Sequence, residues 1–381
     1  MKKIVIIGAS YLQQPLIDKV HEMGCEAHVF AWQCGDVGER TADRFYPISI
    51  VEKEKILEVC REIKPDAVCT ISTDLGAVTA NYVANALGLP SNPLTSMIPA
   101  SNKYVMRRAL RDAGISVPTF VRIRQGESAS AAEGLEYPVI VKPTDRSGSR
   151  GITKLYSAEG LEAAVREAQE QGFEKKALVE EFAEGQEYSV ECVSCEGKHT
   201  FLAMTKKYTT GAPHFIETGH LEPAPVPTQT LEKVKKIVFH ALDTLQIRNS
   251  ASHSELKIAA DGTIRLIEIG GRMGGDCIGS DLVRLSAGVD FVRCVIQLAL
   301  GEAPDTEPKT PKGAAAVRFV FREEDLEVLA RLKREHPEYL VREENMLPIS
   351  GEVTDSSTRF GAYLMTAQCA EALLPYLPEE V

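Results

Sequence analysis

The chain has 381 residues, 44% hydrophobic and 25% charged, enough for two or three domains with sizeable cores and unlike a long disordered region. A formal charge of −11 argues against a nucleic-acid backbone as partner, which requires clustered Lys and Arg, but it allows a nucleotide, which needs only a few local cations. Nine cysteines without framework spacing fit a reducing, cytoplasmic setting, and no run reaches the length of a membrane span.

Lys3–Gly8 reads as a buried strand, followed by a turn at Ala9-Ser10 and a helix to about Gly24. The apolar run after Met1 is too short for a signal peptide, and Gln13 and Gln14 follow at once. Glu26–Phe30 is a second strand; a helix over Glu52–Ile63, a strand over Asp66–Ser72 and a helix over Asp74–Leu87 continue the alternation. This pattern predicts an α/β unit over residues 1–92, a doubly wound parallel sheet. It does not carry a dinucleotide fingerprint: the turn after Gly8 lacks the later glycines, and the second strand ends in Ala31-Trp32 without an acid for the ribose. Ligands favour the C-terminal ends of such strands, so Ser10, Gln13 and Asp74 are candidates to touch a small substrate. The plainer roles are helix caps for Ser10 and Asp74 and an exposed polar side chain for Gln13.

A linker at Leu89–Thr95 leads to a basic amphipathic helix over Ser101–Gly114. Tyr137–Pro143 is a strand that delivers Lys142 to its end, and Thr144–Gly151 is a Gly- and Ser-rich loop of the kind whose N–H groups can surround phosphates. Strand Ile152–Tyr156, helix Ser157–Gln171 and strand Ala177–Phe182 follow, the last ending in Glu180-Glu181, with Glu187 opening the next strand. Cys192-Val-Ser-Cys195 has no second pair and reads as strand before a turn at Glu196-Gly197.

Two apolar, alternating runs flank Asp261-Gly262, a strong two-residue hairpin signal. With Ala260 facing Thr263, counting outward sets Glu255 opposite Glu268. Directly opposed residues have Cβ atoms about 5 Å apart, and like charges so placed destabilise. Unaided, one carboxyl should be driven to keep a proton; a hard cation such as Mg2+, completed by phosphate oxygens, removes the conflict. The bland alternative is a solvated strand face. Beyond the hairpin, Ser280–Leu300 is a helix and Glu302–Lys312 a Pro-rich linker. Strands Ala314–Phe321 and Tyr363–Thr366 with helices Glu323–Arg334 and Gln368–Tyr376 predict a small α+β subdomain over 306–381, in which Arg318 and Arg359 read as ordinary ion-pair formers.

The order of parts is specific. A helical lysine before Val117-Pro118, a Val-Lys-Pro strand with a glycine loop, Glu180-Glu-Phe-x-x-Gly-x-Glu187, two hairpin glutamates and an arginine together resemble the ATP-grasp superfamily. The resemblance runs from residue 1 to about 300 and implies an ATP-grasp fold over 93–305, with 120–184 as its lid. It implies that Lys103 and Lys142 hold the α- and β-phosphates of ATP under a lid loop of Ser147, Gly148, Ser149 and Gly151. Glu180, the Glu181 carbonyl and the Ala183 N–H would read the adenine, Glu187 the ribose, and Glu255 and Glu268 would carry Mg2+ or Mn2+. Gly270 stands where many members have a third, asparagine ligand, which leaves the number of ions open.

Glu268-Ile-Gly-Gly-Arg272-Met-Gly-Gly-Asp276 and Phe215-Ile-Glu-Thr-Gly-His220 are similar to the amino-acid ligases of the bacilysin-synthetase type. That resemblance implies catalytic roles for Arg272, Glu217 and His220, with Gly274, Gly275 and Asp276 near the substrate. The implied activity is an ADP-forming ligase that joins a small-molecule carboxylate to an amine. The rivals are carboxyphosphate or purine-pathway chemistry on the same fold, and an ATP-responsive binding protein. A homodimer is compatible with the resemblance, although no self-complementary face is legible.

Overall fold

The computed structural model describes residues 1–146, 151–309 and 313–379 and builds them on three sheets. The first is parallel, in the spatial order Arg44–Tyr46, Glu26–Phe30, Lys3–Ile7, Ala67–Cys69. Helices cover both its faces, so Lys3–Ile7 can be apolar without alternation: Ile4 and Ile6 enter one hydrophobic cluster, Val5 and Ile7 another. The order reverses between Lys3–Ile7 and Ala67–Cys69, which opens a crevice beyond their carboxyl ends. Gln13 is buried there, not exposed as expected, and its amide donates to the carbonyl of Ile71 at 2.8 Å. Nor do Ser10 and Asp74 cap helices. The Ser10 hydroxyl donates to Gln13, and Thr73 caps Asp74–Leu87, accepting from the Gly76 N–H at 3.3 Å.

The second sheet is antiparallel, in the order Phe120–Arg124, Lys176–Glu181, Val139–Pro143, Thr153–Leu155, with helix Leu161–Gln171 packed on it. Ser147, Gly148 and Ser149 of the expected phosphate loop lie outside the described residues. The third sheet has eight strands: Ile264–Gly270, Ser250–Ile258, Gln186–Cys195, Lys198–Thr209, Glu217–Glu222, Ala314–Phe319, Ala362–Ala367 and Leu340–Glu344. The C-terminal residues therefore extend the central sheet, because Ala314–Phe319 pairs with Glu217–Glu222.

The expected helix Ser157–Gln171 begins only at Leu161, after Gly160 (φ +83°), and three other helices differ from expectation for local reasons. The basic helix starts at Lys103, since Asn102 caps it by accepting from the Val105 N–H at 3.1 Å. The segment 280–300 is interrupted at Gly288 (φ +77°), and the carboxylate of Asp290 starts a fresh helix, Phe291–Ala299. Over 368–376 there are only two short 3-10 turns, because Pro375 lacks the N–H that a continuous helix would use.

Candidate active site

Ser250–Ile258 and Ile264–Gly270 form the expected hairpin, and Glu255 does stand opposite Glu268, but by another route. The loop has three residues: the Ala259 N–H donates to Thr263, the Gly262 N–H donates to Ala259, and Gly262 takes φ +84°. Ile258 consequently faces Ile264, one step off the expected register, until a bulge takes up Ile267 and restores the Glu255–Glu268 pair. The bulge also lets neighbours Ile267 and Glu268 line one cavity, where a regular strand would send them to opposite faces. Gly185 makes room for this ribbon: a Cβ there would lie 2.2 Å from the Ile258 carbonyl oxygen.

Glu255 does not meet the repulsion by taking a proton. Burial alone would raise Glu255, but Lys207 and His253 outweigh it and hold the carboxyl well below the usual range. Lys207, 4% exposed, stands 2.8 Å from Glu255, 2.9 Å from Glu187 and 3.5 Å from Glu217. Burial works against its charge, yet the three carboxylates keep its ammonium group protonated. His253 pairs directly across the sheet with the fully buried Glu191, which bonds Nδ1, while Nε2 lies 3.3 Å from Glu255. Burial opposes its charge too, and Glu191 overcomes it, raising the imidazole to about 9. Glu268 is paired with Lys103.

These groups line a cavity bounded on its other side by the second sheet. Lys142 and Glu180 form a buried pair there, and Arg107 reaches Glu180 at 2.9 and 3.3 Å. Despite full burial, the two cations bring Glu180 down to about 2. Both its oxygens thus already accept from these cations. Glu181, Ala183 and Glu187 line the same cavity, together with an apolar wall of Ile140, Ile152, Phe182, Phe215 and Ile267. Gly151 does not line it; it packs towards Gln171 and Pro143.

Asp74, Lys207, Glu217, His253, Glu255 and Arg272 line this cavity and also a second one, which extends to the crevice of the parallel sheet and includes Ser10, His220, Gly275 and Asp276. Asp74 holds Arg272 through Nε at 2.9 Å; burial would raise the acid, but the guanidinium lowers it. Asp276 takes two bonds from Arg359 Nη2, each 2.9 Å, and is nonetheless raised by burial. Glu217 accepts from Ser356 at 3.1 Å. His220 is 1% exposed and packed edge-on against Phe319, with no hydrogen-bond partner at either ring nitrogen; burial, Lys207 and Arg359 hold it neutral. Gly274 lines neither cavity. Its N–H donates to Glu191 at 3.0 Å, and a Cβ would strike Glu191 and His253.

Sequence reasoning missed Lys207, His253, Glu191 and Arg107. Two were within reach. His253 is two residues before Glu255 and so on its face of the strand, and Arg107 is one helical turn beyond Lys103. Lys207 and Glu191 depend on which strands pair, which no local pattern announces.

Two carboxylates facing one cavity suit Mg2+, which completes its shell with phosphate oxygens and water; among the described residues no larger cage of His, Cys, Asp or Glu gathers. Among them, no helix is long and apolar enough to cross a membrane.

Comparison with known proteins agrees with this arrangement. Residues 135–281 match the ATP-grasp domain family. D-alanine–D-alanine ligase of Parabacteroides distasonis is 26% identical over 194 residues, 48% of this chain and 58% of that protein. Alanine–anticapsin ligase of Bacillus subtilis is 26% identical over 284 residues, 68% of this chain and 58% of that protein. The matches thus span little more than half the length of these curated relatives. In three dimensions the chain superposes on the L-amino acid ligase from Bacillus licheniformis with a TM-score of 0.83 at 24% identity, covering 99% of this chain and 96% of that one. The ATP-grasp domain match lies at the centre of the chain, and the superposition shows that the chain shares the fold of that ligase from end to end.

Proposed function

We propose that the chain is an ADP-forming ligase that joins the carboxylate of one amino acid to the amine of another. The observation that carries this reading is Lys207, buried, and Arg272, half-buried, two cations at the junction of a cavity fit for a nucleotide and a cavity fit for a small polar substrate. The adenine lies along the Phe182–Phe215 wall, its edge read by the backbone of Glu181 and Ala183, and Glu187 takes the ribose. Lys103 and Lys142 hold the α- and β-phosphates, with Glu180 positioning Lys142. Glu255 and Glu268 would hold Mg2+ or Mn2+, which when bound neutralises charge on the phosphates. Lys207 and Arg272 then face the γ-phosphate and the substrate carboxylate.

Phosphoryl transfer asks little of a protein beyond position and neutralised charge, which is what these cations supply. The carboxylate attacks the γ-phosphorus and ADP leaves, giving an acyl phosphate; the amine attacks the acyl carbon and inorganic phosphate leaves. Glu217 or His220 receives the ammonium proton: Glu217 is bound to Lys207 and Ser356, and His220 has both ring nitrogens unoccupied, although burial, Lys207 and Arg359 disfavour its protonated form. Asp276 and Glu217 receive the ammonium group.

The test is phosphate release from Mg-ATP with amino acids offered singly and in pairs, with products weighed by mass spectrometry. Amino-acid-dependent phosphate and a dipeptide mass are expected. Bicarbonate-driven ATP hydrolysis without amino acids would overturn the reading in favour of carboxyphosphate chemistry, and ATP binding without any ADP release would make the chain a binding protein.

A further inference from the structure

The two ends of the substrate cavity differ in electrical character. Where it meets the nucleotide cavity, each acid faces a cation: Glu217 and Glu255 share Lys207, and Asp74 pairs with Arg272. At the far end, walled by the carboxyl ends of the parallel sheet, Asp36 is the charged lining residue, and among the described residues no basic side chain pairs with it. Its partner is the thiol of Cys34. Arg40, on the short helix Gly38–Thr41 that follows, turns to the carbonyl of Gly35 at 3.1 Å and does not line the cavity.

Trp32, the chain's single tryptophan, lines the same end and is 69% exposed. The stretch that carries Asp36 is tied down: the Glu39 carboxylate accepts from the N–H groups of Cys34, Gly35 and Asp36 at 2.7, 2.6 and 3.1 Å. A side chain on a stretch held in this way has a smaller ordering cost on binding. An aromatic face and an uncompensated carboxylate at one cavity mouth both attract an organic cation, the first through its quadrupole and the second through charge-assisted hydrogen bonds.

We infer that this end of the cavity selects an amino acid with a cationic side chain, whose ammonium or guanidinium group lodges between Asp36 and the indole of Trp32. The inference rests on the ligase reading, in that the backbone end of the same amino acid reaches Arg272 and Lys207.

Arginine and citrulline make the sharpest probe, since they match in shape and differ in charge. In the native protein, kcat/KM for amino-acid-dependent phosphate release should favour arginine by about tenfold or more. Asp36→Asn should bring that ratio close to one, chiefly through KM. Independently of turnover, arginine should change Trp32 fluorescence saturably where citrulline at equal concentration does not. Equal kcat/KM for the two, a ratio untouched by Asp36→Asn, or activity with neutral amino acids alone would overturn the inference and leave the ligase reading standing. If no amino acid releases phosphate, the ligase reading falls, and the fluorescence titration decides the cation site: discrimination upholds it and its absence overturns it.

Discussion

Glu255, half-buried, and Glu222, fully buried, are carboxyls of the same eight-stranded sheet that meet desolvation in opposite ways. At the hairpin end, Glu255 stays ionised because Lys207 and His253 are brought to it. In the middle of the sheet, Glu222 has only hydroxyls, those of Thr205 and Ser286 donating at 2.6 Å each. Burial dominates there, the hydroxyls offset it only partly, and the carboxyl rises to about 7. Keeping one proton satisfies a buried acid with little desolvation, whereas burying cations beside it is offset only by good geometry. A chain has reason to accept the costlier arrangement where ligands will later take over the pairing. In the proposed function the hairpin end is such a place, and the middle of the sheet is scaffold.

Lys207→Met would break the contrast most severely. Glu255 would lose its principal cation and rise towards the behaviour of Glu222, while Glu187 and Glu217 would lose their shared partner. Turnover should fall by about 10²–10³-fold or more, and stability by about 3–5 kcal/mol, as when one partner of a buried ion pair is removed. Phosphate release and a thermal scan read the two effects. Turnover within a few-fold of native would show that the cation only balances the sheet.

The contrast bears on what a sequence can disclose. The parallel sheet was legible because strands buried on both faces and amphipathic helices leave different periods in the chain. Glu255 opposite Glu268 was legible for a partly wrong reason: the two-residue turn and the unbroken ladder were both mistaken, and the bulge at Ile267 cancelled the turn's extra residue. Charge balance was not legible. Glu255 keeps its charge because Lys207 arrives from Lys198–Thr209, two strands away from the hairpin strand that carries Glu255, a pairing the hairpin pattern does not announce. Arg359, read as an ordinary ion-pair former, does pair, but its acid is Asp276 at the second cavity, which only the C-terminal extension of the sheet makes possible.

Glu191→Gln sharpens the comparison at intermediate strength. The amide keeps the shape and can still accept from the Gly274 N–H, but it removes the charge that keeps His253 protonated beside Glu255. Removing a residue that orients ligand-bearing side chains costs about 10–100-fold in activity or metal affinity. The expected loss lies in that range, with a matching rise in the Mg2+ concentration needed for half-maximal rate. An unchanged magnesium dependence would separate His253 from the hairpin acids.

Glu222→Gln should have the smallest effect on activity, within about twofold as for a change remote from the reacting groups, and its signature lies in stability against pH. Below the ordinary carboxyl value near 4.5, Glu222 is protonated in both folded and unfolded chains and contributes no pH dependence. Between that value and about 7 the unfolded chain releases the proton and the folded chain keeps it, so stability declines as pH rises. Above about 7 both states are ionised and the contribution is flat, after a total loss of about 3 kcal/mol. Glutamine does not titrate, and a hydroxyl facing its NH2 can rotate to accept. The variant's melting temperature should therefore climb relative to the native protein's between pH 5 and pH 8, the opposite of what loss of a stabilising ion pair would give. Parallel curves would mean that Glu222 is ionised in the fold, and the two ends of the sheet would then differ only in degree.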